Sequence, residues 1–217
     1  MHWFGIALLA AAGVVFFRWF VRRVDSIGRE RPFPWLAVPV LVLAGLGFLT
    51  PWFLRVRLEA RLAKAASAIV GAPLEVHCQS FGEAFVDVGI ELGYVAFGSD
   101  GVPEMRTLLK RAPCAALADY VRSDKSAPSR EQIVAVHTLT HEAMHMSGFT
   151  NEAETECLAM QRDAEMARLL GAEADAAAAL ATNYWVTVYP RMPGPYRTSA
   201  CGPGGELDLG SPDAPWL

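Results

Sequence analysis

The sequence has no C-x-x-C pair, so its four cysteines, Cys78, Cys114, Cys157 and Cys201, are not spaced as a cysteine zinc site. It has no basic excess either. Lys and Arg number 19 against 23 Asp and Glu, a net charge of −4, which argues against nucleic acid as a partner. There is no internal repeat, no phosphate-binding glycine loop and no nucleophile elbow. Charge is scarce over the first 54 residues. The apolar excess, 53% of the whole, is concentrated there and reads as membrane rather than core.

Two spans are expected in residues 1–54, a membrane anchor. Trp3 to Val21 forms the first if Arg18 snorkels to the interface, with Trp19 in the interfacial belt. It has no basic stretch before it and no small-residue cleavage site after it, so it is not expected to be a cleaved signal. Pro32 to Leu54 is free of charge, with Trp35 and Trp52 marking its ends. The loop between carries Arg22, Arg23, Arg29 and Arg31, which places it in the cytoplasm by the positive-inside rule. Residues 55–217 then lie outside the cell membrane. Arg55, Arg57, Arg61 and Lys64 speak for the opposite orientation. An even cysteine count suggests two disulfides and an extracytoplasmic domain. Of three connectivities, Cys78–Cys114 with Cys157–Cys201 is favoured, and would tie the tail to a ligand-bearing helix. Four reduced, buried cysteines are the alternative.

The stretch that organises the domain is His141-Glu142-Ala143-Met144-His145, an H-E-x-x-H motif. Residues four apart share a helix face, so two imidazoles can grip one Zn²⁺ from the same side. Glu142 can then face the open coordination position as general base for a zinc-activated water. Ser129 to Gln132 reads as a capping box that opens this helix, and Gly148 as its stop. His137 lies one turn before His141. Three histidines so spaced span about 12 Å, too far for one ion. His137 is therefore a core residue, or one that stands behind the metal.

A catalytic zinc needs a third protein ligand. The nearby candidates are Glu152, Glu154 and Glu156, on a second helix capped by Thr150 or Asn151 and expected to run to Leu170, with Gly171 as stop. Glu152 and Glu156 share a face; Glu154 points elsewhere. Asn151-Glu152-x-x-x-Glu156 after the H-E-x-x-H motif resembles the gluzincin metallopeptidases. The resemblance covers Gln132 to Gln161. It implies Glu152 as third ligand and Glu156 as the group that holds a ligand histidine from behind; the reverse assignment is the alternative. It also implies a zincin-like sheet whose edge strand pairs with an extended substrate. The chain departs from those families in having Glu at 156 for the usual Asp or Asn, and a short gap from His145 to Glu152. The same stretch looks like actinobacterial membrane proteins with an H-E-x-x-H and a following E-A-x-x-E-C run, a likeness that brings no activity with it.

Elsewhere, Arg55 to Val70 is expected as a helix broken by Gly71-Ala72-Pro73. Leu74 to Cys78, Phe85 to Ile90 and Leu92 to Phe97 read as short strands. Pro103 to Val121 reads as a helix interrupted near Pro113, and Glu173 to Val188 as another. His77 is structural, Glu83 and Asp87 are surface charges, and Tyr184, Trp185 and Tyr189 pack in the core. The tail from Pro190 is irregular, and Tyr196 or Arg197 in it is a candidate to stabilise an oxyanion. The expected architecture is α+β: two N-terminal transmembrane helices, then a small zincin-like domain with an active-site helix, a second ligand-bearing helix and a short sheet. The expected function is a membrane-anchored zinc metallopeptidase acting on peptides or proteins. The alternatives are a non-catalytic, zinc-stabilised envelope interaction or sensor domain, and a metal-free domain whose histidines only pack.

Overall fold

The fold was obtained as a computed structural model, which describes residues 2–24, 27–80, 82–83 and 91–216. The expected strand Phe85 to Ile90, Asp87 included, lies outside these. The chain divides into two compact units, Met1–Arg57 and Leu58–Leu217.

The first unit is a helical hairpin. Helix α1 is His2–Val21 and α2 is Ala37–Val70, whose residues from Leu58 onward belong to the second unit. Both are long and apolar enough to cross a membrane. The two helices approach closely where they cross at glycines. A Cβ on Gly5 would stand 2.7 Å from Leu49 Cγ, and one on Gly45 would stand 2.8 Å from Leu9 Cγ. Small residues at such crossings let two helix backbones pack closely. The expected span Pro32 to Leu54 and the expected helix Arg55 to Val70 join as one helix, α2, which continues through Pro51 to Val70 and ends at Gly71, φ +77°. Beyond the charge-free stretch, the buried Leu62, Ala65 and Ala66 give the helix an apolar stripe to pack into the second unit's core.

The second unit is α+β. Strands β1 (Glu75–Cys78), β2 (Gly93–Phe97) and β3 (Pro103–Leu109) form one sheet in the order β1-β3-β2. β3 is central, parallel to β1 and antiparallel to β2. This corrects the expected helix over Pro103 to Val121. Glu104, Met105, Arg106 and Leu108 are good helix formers, but β3 has a hydrogen-bonded partner on both sides and buries Thr107 and Leu109 in alternation. Helix α3 begins only at Arg111 and runs to Arg122. Pro113 sits in its first turn, where the missing N–H costs no hydrogen bond.

Helix α4 (Arg130–Met146) is the centre of the unit, packing on β2, β3, α3, α5, α6 and α7. Its capping box is formed: Gln132 N–H donates to Ser129 Oγ, and Ser129 N–H to the Gln132 side chain. Every residue from Ala135 to Met146 is buried. A helix buried on all sides is normally apolar all round. This one carries His137, Thr138, Thr140, His141, Glu142 and His145. Thr138 and Thr140 hydroxyls donate to the carbonyls of Val134 and Val136. The other four need partners from elsewhere, because a buried polar group without one costs free energy.

The expected second helix is two: α5 (Glu152–Met160) and α6 (Asp163–Leu169), with Gly171 at φ +99° after them. Between them, Gln161 is held by the tail. Its amide donates to Leu207 O at 2.9 Å and accepts from Leu209 N at 2.7 Å. Helix α7 (Ala174–Thr187) closes the bundle. The cysteines form Cys78–Cys114, joining β1 to α3, and Cys157–Cys201, joining α5 to the tail. Arg168 forks onto Asp213 at 2.8 and 2.6 Å, and fixes the tail a second time.

Candidate metal centre

Gly148, at φ +101°, turns the chain out of α4 in a conformation that a side chain would strain. Two consequences follow. Phe149 O returns onto His145 Nδ1 at 2.7 Å, and Asn151 caps α5 by accepting from Glu154 N–H. A carbonyl only accepts, so Nδ1 of His145 carries the hydrogen and Nε2 is left with a lone pair. Glu152, at the first position of α5, sits where the helix N-terminus favours a carboxylate.

His141 divides its two nitrogens between two carboxylates. Nε2 lies 3.1 Å from Glu152 Oε2, and Nδ1 lies 3.0 Å from Glu156 Oε2. Glu152 Oε2 is also 3.5 Å from His145 Nε2. His141, His145 and Glu152 thus present three ligand atoms within 4.8 Å of one another. The fit to an ion can be tested. Bonds of about 2.0–2.2 Å in tetrahedral geometry separate ligand atoms by about 3.3–3.6 Å. The 3.5 Å separation falls within that spacing, and the 3.1 Å separation is slightly shorter, at hydrogen-bond length. Two imidazoles and a carboxylate suit a first-row divalent ion.

A second group, His137, His141 and Glu156, meets the same proximity test. It differs in being saturated. Glu156 Oε2 accepts from His137 Nε2 and His141 Nδ1, both at 3.0 Å, and Oε1 accepts from Tyr184 OH at 2.7 Å. His137 Nδ1 donates to Asp163 Oδ2 at 2.8 Å, and the Tyr184 ring stacks on the His137 ring at 3.7 Å. Burial would lower the His137 imidazole, but the charges of Asp163 and Glu156 outweigh it and hold it up at about 10. Burial likewise works to raise Glu156, and His137 and His141 outweigh it, keeping the carboxyl well below the usual range. The group is a closed ion network, with the Glu156 side chain 1% exposed against 41% for Glu152. Glu154 belongs to neither group.

Glu142 lies between the cleft and the sheet, its carboxylate against Gly93. Burial pushes its carboxyl up to about 7, and Oε2 has no hydrogen-bond partner among the described residues. β2 lies close against it at Gly93, where any larger residue would make the Glu142 and Leu109 side chains shift. A Cβ there would stand 2.9 Å from Glu142 Oε1 and 2.9 Å from Leu109 Cδ2. His141, Glu142, His145 and Glu152 all border one cleft of about 530 Å³. Tyr94, Val95 and Phe97 of β2 line it, as do Val188, Met192 and Tyr196. In the order β1-β3-β2, β2 is an edge strand among the described residues.

No protein-family model, curated protein or solved structure matches this chain. The site therefore rests on its own geometry.

Of the two tail candidates, Tyr196 borders the cleft with its ring 6.0 Å from that of His141, and burial raises its hydroxyl. Arg197 instead donates to Pro190 O at 3.1 Å and does not line the cleft. His77 pairs with Glu59 and Glu83 at 3.4 and 3.2 Å, away from the cleft. Trp185 stacks on Tyr189 and meets Trp216 edge to face, whereas Tyr184, read from sequence as core packing, turns its hydroxyl to Glu156. Asp163 and Gly93 went unread in the sequence. Asp163 had one signal, lying seven residues beyond Glu156 and hence near its face of a helix. Gly93 stands at the start of a strand, where glycine often marks a close approach.

Proposed function

We propose that the second unit is a zinc-dependent, zincin-type peptidase, anchored to the cell membrane by the first unit and facing the extracytoplasmic side. One observation carries this reading. Nε2 of His141, the lone-pair-bearing Nε2 of His145 and one carboxylate converge in a cleft, beside a buried carboxylate with an oxygen that has no hydrogen-bond partner among the described residues. His141, His145 and Glu152 are the ligands in this reading. Zn²⁺ held there supplies a Lewis acid and lowers the pKa of a bound water to about 7.

The chain's own residues do the rest. Glu142 accepts the water's proton. Its carboxyl, raised by burial to about 7, suits a base that must later give the proton up to the leaving amine at neutral pH. Glu156 holds His141 by Nδ1, which directs Nε2 at the ion. β2, an edge strand among the described residues, borders the cleft and can take an extended peptide as an added strand, which favours a peptide bond as substrate. Tyr196 can donate its hydroxyl to the developing oxyanion. The two disulfides support an oxidising compartment.

The test is metal content and cleavage of a peptide library by the full chain in detergent, wild type beside His141→Ala and Glu142→Gln. One zinc per chain is expected, lost in the first variant and kept in the second, with cleavage lost in both. Zinc without cleavage in the wild type would favour the non-catalytic domain. No zinc after reconstitution would end the metal reading.

A further inference from the structure

The first unit carries a concavity of its own. Arg18 and Arg22 are four residues apart near the end of α1 and share a face. The chain then doubles back. Val24 bridges to Glu30, Arg31 N–H donates to Arg23 O at 2.8 Å, and Trp19 Nε1 donates to Arg31 O at 3.1 Å. These bonds return Arg31 to the side of α1. Arg18, Arg22 and Arg31 therefore line one hollow of about 390 Å³, with Val15, Trp19 and Pro32 as its apolar part. Arg23 stands apart, 3.8 Å from Glu30. The other three make no ion pair among the described residues. The three arginines are exposed at this hollow, no carboxylate among the described residues lines it, and like charges brought to one place favour an anion between them.

We infer that this hollow binds a phosphate group, as the headgroup of an anionic phospholipid presents it. Guanidinium forks match phosphate oxygens in pairs, which a scattered positive charge does not. The apolar side has a use for a lipid and none for a free ion. Tryptophan and proline beside the arginines offer contact to the glycerol and first methylenes, and Trp19 belongs to a residue type enriched at that depth. Anionic lipid is concentrated in the cytoplasmic leaflet. Occupancy there would hold the loop cytoplasmic and residues 58–217 on the opposite side. The inference does not depend on the metal centre.

The test uses the full chain, purified and delipidated in neutral detergent. It is titrated with short-chain phosphatidylglycerol, with short-chain phosphatidylcholine and with inorganic phosphate. Phosphatidylglycerol is expected to saturate at one molecule per chain, at least tenfold more tightly than phosphatidylcholine. The Arg18→Gln/Arg31→Gln variant should lose about tenfold or more, and Arg23→Gln should lose little, since Arg23 already has Glu30. Inorganic phosphate binding as tightly as phosphatidylglycerol would support the phosphate site but assign it to the free anion. Equal affinity for the two lipids would overturn the inference. So would equal losses in Arg23→Gln and the double variant, which would mean diffuse charge. Oxidised cysteines and an unchanged circular dichroism spectrum establish that each variant is folded.

Discussion

Two groups of the same composition, two histidines and a glutamate each, meet at His141 and differ in what remains unspent. In the group with Glu156, the oxygens and nitrogens are taken up by one another, by Tyr184 and by Asp163. In the group with Glu152, the carboxylate is two-fifths exposed and His145 Nε2 keeps its lone pair. The capacity to hold an ion therefore depends on what already satisfies the donors as well as on residue type. The closed group is satisfied from within the fold; the open group could hold a metal ion.

The comparison can be broken in several ways. The largest effect is expected from Glu142→Gln, which leaves both groups intact. It should retain the metal and lower peptide cleavage by about 10²–10⁴-fold, read as turnover beside metal content. Full activity in that variant would remove Glu142 from the mechanism.

Next come the paired variants Glu152→Ala and Glu156→Ala. Removing Glu156 leaves the His137 cation buried with only Asp163, and should cost about 3–5 kcal/mol in denaturant unfolding of the metal-free chain. Removing Glu152 should change that stability by under about 1 kcal/mol and weaken metal binding more than removing Glu156 does. The reverse order of metal affinities would make the closed group the binding site.

A smaller loss is expected of Tyr184→Phe. It deletes one hydrogen bond to an ionised Glu156, worth about 1.5–3 kcal/mol, and leaves the stack on His137. The same variant should lower metal affinity by about 10–100-fold if the closed group orients His141, whereas unchanged affinity would confine Tyr184 to stability.

The smallest effect is a control remote from both groups. Arg168 donating to Asp213 holds that carboxyl below its usual value. A lowered folded-state value adds stability at pH above the ordinary carboxylate range of about 3.9, and the addition is lost as pH falls through the folded value. Both groups are partly exposed, so the wild type should lose under about 1 kcal/mol more than Asp213→Asn across that acid window. A larger difference would make the tail clasp a main support of the fold.

Legibility followed the range of the interaction. The start and stop of α4 are local: Ser129 and Gln132 close a capping box within four residues, and Gly148 is needed for one backbone turn. The two apolar helices follow from composition and length alone. The helical expectation over β3 rests on the propensities of Glu104, Met105 and Leu108, whereas its strand state depends on two partners, β2 as near as six residues in the pair Phe97–Pro103 and β1 31 residues away in Glu75–Arg106. The single helix expected over Glu152 to Leu170 divides at Gln161, whose partners Leu207 and Leu209 lie in the tail. Tyr184 was read as packing, which its ring does; its hydroxyl's partner is 28 positions away.

The sequence by itself determined the spacing of His141, Glu142 and His145 on one helix, the apolar hairpin, and the acids that could join the histidines. These depend on helical period and residue type, which are local. Only the tertiary structure decided which glutamate faces Nε2 of His141 and which faces Nδ1, and that Glu142 is buried against Gly93. The reason is geometric. Each imidazole offers two nitrogens about a ring apart, and which one meets a carboxylate depends on the placement of α5, α7 and β2 around α4.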